Sequence, residues 1–166
     1  MSLFSRRAER TPLDGVDAVL ADLDGVVYAG PGPLPYAVES LTRAADTRRL
    51  GYITNNASRR DSAVAEHLRE LGLTATQPDD VVTSPQAAMR LLRERVEPGA
   101  TVLVVGGDGL VYELEKAGYR VTRSADDVPA AVVQGFAQDV GWLQLAEASY
   151  ALALPEEEGG IPWIAT

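Results

Sequence analysis

Short apolar runs alternate along the chain with segments whose apolar positions recur every three or four residues. The run VDAVLA at 16–21 reads as a buried strand, and it passes at once into Asp22-Leu23-Asp24-Gly25. A Gly/Pro-rich loop over 30–35 follows. Ala37, Val38, Leu41 and Ala45 then lie on one face of a helix over 36–45. Residues 50–53 form a second short strand that runs into Thr54-Asn55-Asn56. Ser58-Arg59-Arg60-Asp61 has the form of a capping box, ahead of a helix with Val64, Leu68 and Leu71 on one stripe and Gly72 at its stop. A strand over 80–83 leads to a helix with Ser84 as cap, Pro85 at its first turn, and Ala88, Leu91 and Leu92 facing inward.

Glu97-Pro98-Gly99 is the strongest punctuation in the chain and divides it into 1–97 and 98–166. Beyond it a second βα series begins. Strands are expected over 101–105, 120–122, 131–133 and 162–165, a loop over 106–109, and helices over 110–117 and 140–154. Strands alternating with helices call for an α/β fold with a mostly parallel sheet and right-handed crossovers. The last residues read as a core strand, so the chain has the look of one truncated in mid-domain.

Composition narrows the function classes. The 166 residues carry 24 acidic and 15 basic side chains, a net charge of −9 that speaks against a broad nucleic-acid surface. No run reaches the roughly 18–20 apolar residues of a membrane span. There is no cysteine, which removes thiolate chemistry and cysteine-ligated zinc. Arg6, Arg7 and Arg10 precede no apolar segment of the signal-peptide kind, so the expected location is the cytoplasm. Of the basic residues only Lys116 is a lysine.

Ligands of open α/β sheets bind at the carboxyl ends of the strands. Here two strands linked by one helix end in Asp22 and Asp24, and in Thr54 and Asn55, so the two ends should lie side by side. Two carboxylates in one pocket repel, and their protonation states separate. One can then serve as nucleophile or ligand to a hard cation such as Mg²⁺, while the other holds a proton. The Thr54 hydroxyl and the backbone N–H groups after it could cradle a phosphate. A D-x-D-G run is also a common turn. An EF-hand loop counted from Asp22 fails, because Val26 and Pro33 stand where oxygen ligands are required. A glycosyltransferase-type acidic pair has no other support. The 106–109 loop is not a dinucleotide fingerprint.

The surrounding residues sharpen this. Ala21-Asp22-Leu23-Asp24-Gly25-Val26-Val27-Tyr28, with Gly30 and the residues after Pro33, resembles the first motif of the haloacid dehalogenase-like (HAD) phosphatases. Ile53-Thr54-Asn55-Asn56-Ala57-Ser58-Arg59 resembles their second motif, in the form typical of the NagD-type subfamily of nitrophenylphosphatases and phosphoglycolate phosphatases. The likeness continues through Val82-Thr83-Ser84, 104–110, 133–136 and 162–166. It implies the first half of a Rossmannoid three-layer αβα core over 1–97 and a C2-type α/β cap over 98–166. Asp22 would be the nucleophile that forms an aspartyl-phosphate, and Asp24 the general acid and then base. Mg²⁺ would be held by Asp22 and the Asp24 backbone carbonyl. Thr54 and the Asn55 N–H would bind the phosphoryl group, Gly25 would belong to the same phosphate site, and Asn56, Ser58 and Arg59 would line its entrance. The substrate would be a small phosphomonoester, with neither nucleic acid nor membrane as partner, and the cap could support a homodimer.

The family's later motifs, a catalytic Lys and further acidic metal ligands, have no match. Lys116 sits with Glu113 and Glu115 on what reads as a solvated helix face, and Asp79-Asp80 and Asp126-Asp127 precede strands. Glu156–Glu158 reads as a solvated loop, His67 as a boundary residue, and Trp142 and Trp163 as packing residues. The 166 residues alone are therefore expected to have little or no phosphatase activity. The alternative is an inactive protein that binds or dimerises through its cap. A phosphotransferase using the same aspartyl-phosphate would differ only in the acceptor.

Overall fold

The computed structural model describes residues 11–153 and 160–166. The arginines at 6, 7 and 10, the end of the helix expected to reach 154, and the acidic loop Glu156–Glu158 lie outside the described residues.

In chain order, β1 (Ala18–Asp22) is followed by a small hairpin of β2 (Tyr28–Ala29) and β3 (Gly32–Pro33). Then come α1 (Ala37–Ala45), β4 (Arg49–Thr54), α2 (Asp61–Glu70), β5 (Val81–Thr83) and α3 (Ser84–Arg93). The second series is β6 (Thr101–Val105), α4 (Asp108–Lys116), β7 (Arg120–Thr122), β8 (Ala131–Gln134), α5 (Trp142–Leu152) and β9 (Trp163–Ala165). The strands form two parallel sheets, ordered β1-β4-β5 and β7-β6-β8-β9, with the β2–β3 hairpin antiparallel. The α/β, parallel-sheet expectation therefore holds. The 30–35 loop, by contrast, is partly strand, because its glycines and prolines make a tight antiparallel turn.

Each sheet has its own core. On the first sheet, Ala21, Tyr52 and Val81 project onto one face, where Val64, Ala65 and Leu68 of α2 and Val38 and Leu41 of α1 pack on them. The opposite face carries Leu20, Ile53 and Val82, and these are exposed, Leu20 at 68%. Two of the three expected layers are thus present among the described residues. The second sheet is covered on both faces. Val102, Val104, Ala131, Val133 and Ile164 meet α3 and α4 on one side, and Leu103, Val105 and Val132 meet Ala148 and Ala151 of α5 on the other.

Local readings are corrected where a tertiary partner competes. Ser58 does not cap α2. Its N–H and hydroxyl both donate to Asn56 Oδ1, and Arg60 takes the cap position. Thr83, not Ser84, caps α3, with its N–H donating to Gln86 Oε1 at 3.1 Å. Within α3 the buried positions are Ala88, Met89 and Leu92, while Leu91 faces out. Glu113 on α4 is buried, not solvated, at 6% exposure. Trp142 and Trp163 are exposed rather than packed. Helix α4 starts at Asp108, inside the expected loop. Among the described residues no helix is long and apolar enough to cross a membrane.

Candidate active site

The carboxyl ends of β1 and β4 build the site. Parallel register sets Asp22 opposite Ile53 and Thr54 opposite Thr83, so Asp22 stands one position from Thr54 across the sheet. The expected side-by-side arrangement of the two strand ends is present. Beyond Asp22 the chain alternates. Leu23 is buried in the core, while Asp22 and Asp24 are exposed at the strand end. The Asp22 Oδ1 accepts from the Leu23 N–H at 2.8 Å, which fixes the carboxylate against the turn. Gly25 sits at φ +80°, a left-handed conformation that a side chain would strain, and its N–H donates to the Tyr28 carbonyl at 2.8 Å. This closes the loop that carries both aspartates.

The second loop is organised by its own side chains. Thr54, almost fully buried, accepts the Asn56 N–H on Oγ1 at 3.1 Å. Its hydroxyl hydrogen is left free to donate. Asn56 Oδ1 accepts from the Ser58 N–H at 2.9 Å and the Ser58 hydroxyl at 2.8 Å, an Asx-type turn. The Asn55 carbonyl accepts from the Ser84 hydroxyl at 3.1 Å, which ties the loop to the start of α3. Asn56 is therefore occupied with shaping the loop.

Tyr28 links the two loops electrostatically. Burial pushes its phenol pKa up, Asp24 pushes it further, Arg59 opposes, and Asp22 adds a smaller upward effect. Its ring packs edge-on against His67, with centroids 5.1 Å apart. Asp22, Asp24, Tyr28 and Arg59 thus share one neighbourhood. Motif resemblance includes Tyr28 without implying a role for it, and local spacing makes Ser84 a helix cap rather than a tie to the loop. The signal for both was their place inside the motif runs.

Asp22, Asp24, Gly25, Thr54, Asn55, Asn56 and Arg59 all fall on these two loops. Lys116 does not. It lies on α4, with its Nζ 3.8 Å from Asp61 Oδ2 and 3.8 Å from Glu113 Oε1. For a divalent cation, the Asp22 carboxylate and the Asp24 backbone carbonyl are hard oxygen donors. Mg²⁺ typically takes one or two carboxylates and completes its shell with water and phosphate. The donors present fit such an ion. Among the described residues no group of three or more acidic or His side chains is placed to hold a metal ion by itself.

A model of the haloacid dehalogenase-like hydrolase family matches residues 19–120. The chain is 46% identical over 149 residues to D-glycerol 3-phosphate phosphatase of Mycobacterium tuberculosis, covering 90% of this chain and 40% of that protein. The crystal structure of glycerol phosphate phosphatase from the same organism in complex with magnesium superposes with a TM-score of 0.80 at 46% identity, over 90% of this chain and 43% of that one. NagD from E. coli K-12 gives 0.72 at 27% identity, over 90% and 55%. The chain therefore spans about half or less of the length of these relatives.

Proposed function

The chain belongs to the haloacid dehalogenase-like hydrolases, and on that premise we propose that it carries the nucleophile and the phosphate loop of a Mg²⁺-dependent cytoplasmic phosphomonoesterase. The observation that carries this reading is the register of β1 against β4, which leaves Asp22 one position from Thr54 at the carboxyl ends of neighbouring strands.

In the proposed reaction an Asp22 oxygen attacks phosphorus and the bond to the leaving alcohol oxygen breaks. Asp24 gives its proton to that oxygen. The Thr54 hydroxyl donates to one equatorial oxygen, since its lone pair already holds the Asn56 N–H. The Asn55 N–H donates to another, and stabilising charge on these oxygens is most of the catalytic task. Asp24 then removes a proton from water, which attacks phosphorus and releases orthophosphate, restoring Asp22. Gly25 allows the phosphoryl group to approach the backbone, and Arg59 adds positive charge at the entrance. Mg²⁺, held by Asp22 and the Asp24 carbonyl, would neutralise phosphate charge when bound.

Residues 1–97 would form the core part and 98–166 the cap, a division supported by the two separate sheets. Helix α3 lies wholly before the division in sequence, yet its apolar face packs on the second sheet. Turnover would require a Lys and further acidic ligands that these 166 residues do not supply. The names of the Mycobacterium tuberculosis relatives make a glycerol phosphate the first substrate to test.

The test is release of phosphate from glycerol 3-phosphate and p-nitrophenyl phosphate with Mg²⁺. The 166-residue chain is expected to show little or none. A chain that includes the later motifs is expected to turn over and to lose activity with Asp22→Asn. Mg²⁺-dependent turnover by the 166 residues, lost with Asp22→Asn, would overturn the need for those motifs. Activity that survives Asp22→Asn would overturn the nucleophile.

A second reading, an inactive protein that dimerises through the cap, is favoured by one observation. Trp142, Leu143 and Tyr150 of α5 and Trp163 of β9 are largely exposed. Light scattering decides it. A monomer at high micromolar concentration removes this reading.

A further inference from the structure

Three contacts join α4 to the segment from Ser58 to Asp61, which runs from the proposed phosphate loop into the start of α2. The Arg60 guanidinium stands 4.2 Å over the Tyr112 ring. A Cβ on Gly109 would meet the Ser58 carbonyl carbon and oxygen at 3.0 Å, so α4 begins against the loop backbone. The third contact is an ion cluster. Asp61, the first residue of α2, and Glu113 on α4 are both more than nine-tenths buried, and the half-exposed Lys116 holds its ammonium 3.8 Å from each carboxylate. Asp61 is also held from the other side. Gln86 Nε2 of α3 donates to its Oδ2 at 2.8 Å, and the Ser62 N–H donates to its Oδ1. Glu113 Oε1 has no hydrogen-bond donor, so its compensation comes from the Lys116 charge.

We propose that Lys116 is a positioning residue, which by bridging Asp61 and Glu113 pins the phosphate loop to the second sheet through α4. The name given to that loop rests on the function proposed above, but the clamp itself does not. Removing the ammonium leaves two buried carboxylates without their shared cation. Glu113 can relieve this by holding a proton, since burial already favours its neutral form. Well above the ordinary glutamate range that proton is scarce, and the relief left to the fold is to part α4 from the start of α2. That separation loosens residues 55–60 first, because they run between the β4 end and the pinned Asp61.

The experiment is amide hydrogen exchange on the 166-residue chain, read by peptide. Lys116→Met is expected to speed exchange about tenfold or more over 55–62 and 106–112, with peptides of α1 and α5 unchanged. Lys116→Arg keeps the charge and is expected to retain near-native protection. If Lys116→Met does not fold, Lys116→Met with Glu113→Gln removes the bridge without stranding Glu113 and is expected to loosen the same segments. Native protection over 55–62 in the variant lacking the charge would overturn the clamp. So would uniform loosening of the whole chain, or equal loosening by Lys116→Arg. Selective loosening in a chain shown to have no phosphatase role would uphold the clamp and count against the proposed function instead.

Discussion

Thr54 does two things with one oxygen. It is buried at the end of β4, and it accepts the Asn56 N–H that turns the chain into the loop over 55–60. Thr54→Val keeps the volume and strands that N–H, so a loss of about 1–2 kcal/mol is expected in urea unfolding. Glu113 gives a second prediction at this scale. Burial raises its pKa, Lys116 works against that, Asp61 adds to it and Gln86 lowers it. The folded state then holds the proton more tightly than the unfolded chain, so stability falls as pH rises above the ordinary glutamate range. Glu113→Gln is expected to flatten that decline, measured as unfolding free energy in steps from pH 4.5 to 7. An unchanged slope would remove Glu113 as its source. The motif residues were legible because their chemistry is local. Glu113 was not, since nothing in its neighbours Tyr112 and Leu114 announces that α4 turns it towards Asp61.

At the scale of elements, α3 shows how a tertiary partner chooses a helix face. Ala88, Leu91 and Leu92 fit one stripe by spacing, yet the second sheet takes Ala88, Met89 and Leu92. Leu92→Ala is expected to cost about 2–5 kcal/mol. Leu91→Ala, at an exposed position, should stay within about 0.5 kcal/mol. Paired thermal unfolding of the two variants checks the orientation. Gly109 tests the packing of α4. Alanine would gain about 1 kcal/mol of helix propensity. Its Cβ, however, would press on the Ser58 and Arg59 backbone, and overpacking of about 1–3 kcal/mol outweighs the gain. A lower unfolding midpoint for Gly109→Ala is the expected result. In the second sheet the strands are buried as their apolar runs predict, because helices cover both faces. The run over 16–21 reads as a buried strand too, yet Leu20 is exposed, because no helix among the described residues covers that face of the first sheet.

For the whole molecule the uneven covering of the two sheets matters most. The second sheet has helices on both faces, whereas Leu20, Ile53 and Val82 leave one face of the first exposed. Parallel sheets are ordinarily covered on both sides. The 166-residue chain is therefore expected to bind a hydrophobic dye such as ANS. The double variant Leu20→Thr, Val82→Thr should lower that fluorescence while far-ultraviolet circular dichroism stays unchanged. Equal fluorescence would mean that the dye reports the α5 face with Trp142 and Trp163 instead.

The sequence by itself determined the α/β class, the βα order and the two loops that end β1 and β4. Those follow from apolar spacing and from residue types that act within a few positions of one another. Only the tertiary structure decided that Ser58 shapes the loop rather than capping a helix, and that Ser84 ties the loop to α3. It alone brought Lys116 to Asp61, which lies on another helix far away in the chain. Such contacts are set by which helix covers which sheet, and no local periodicity encodes that choice.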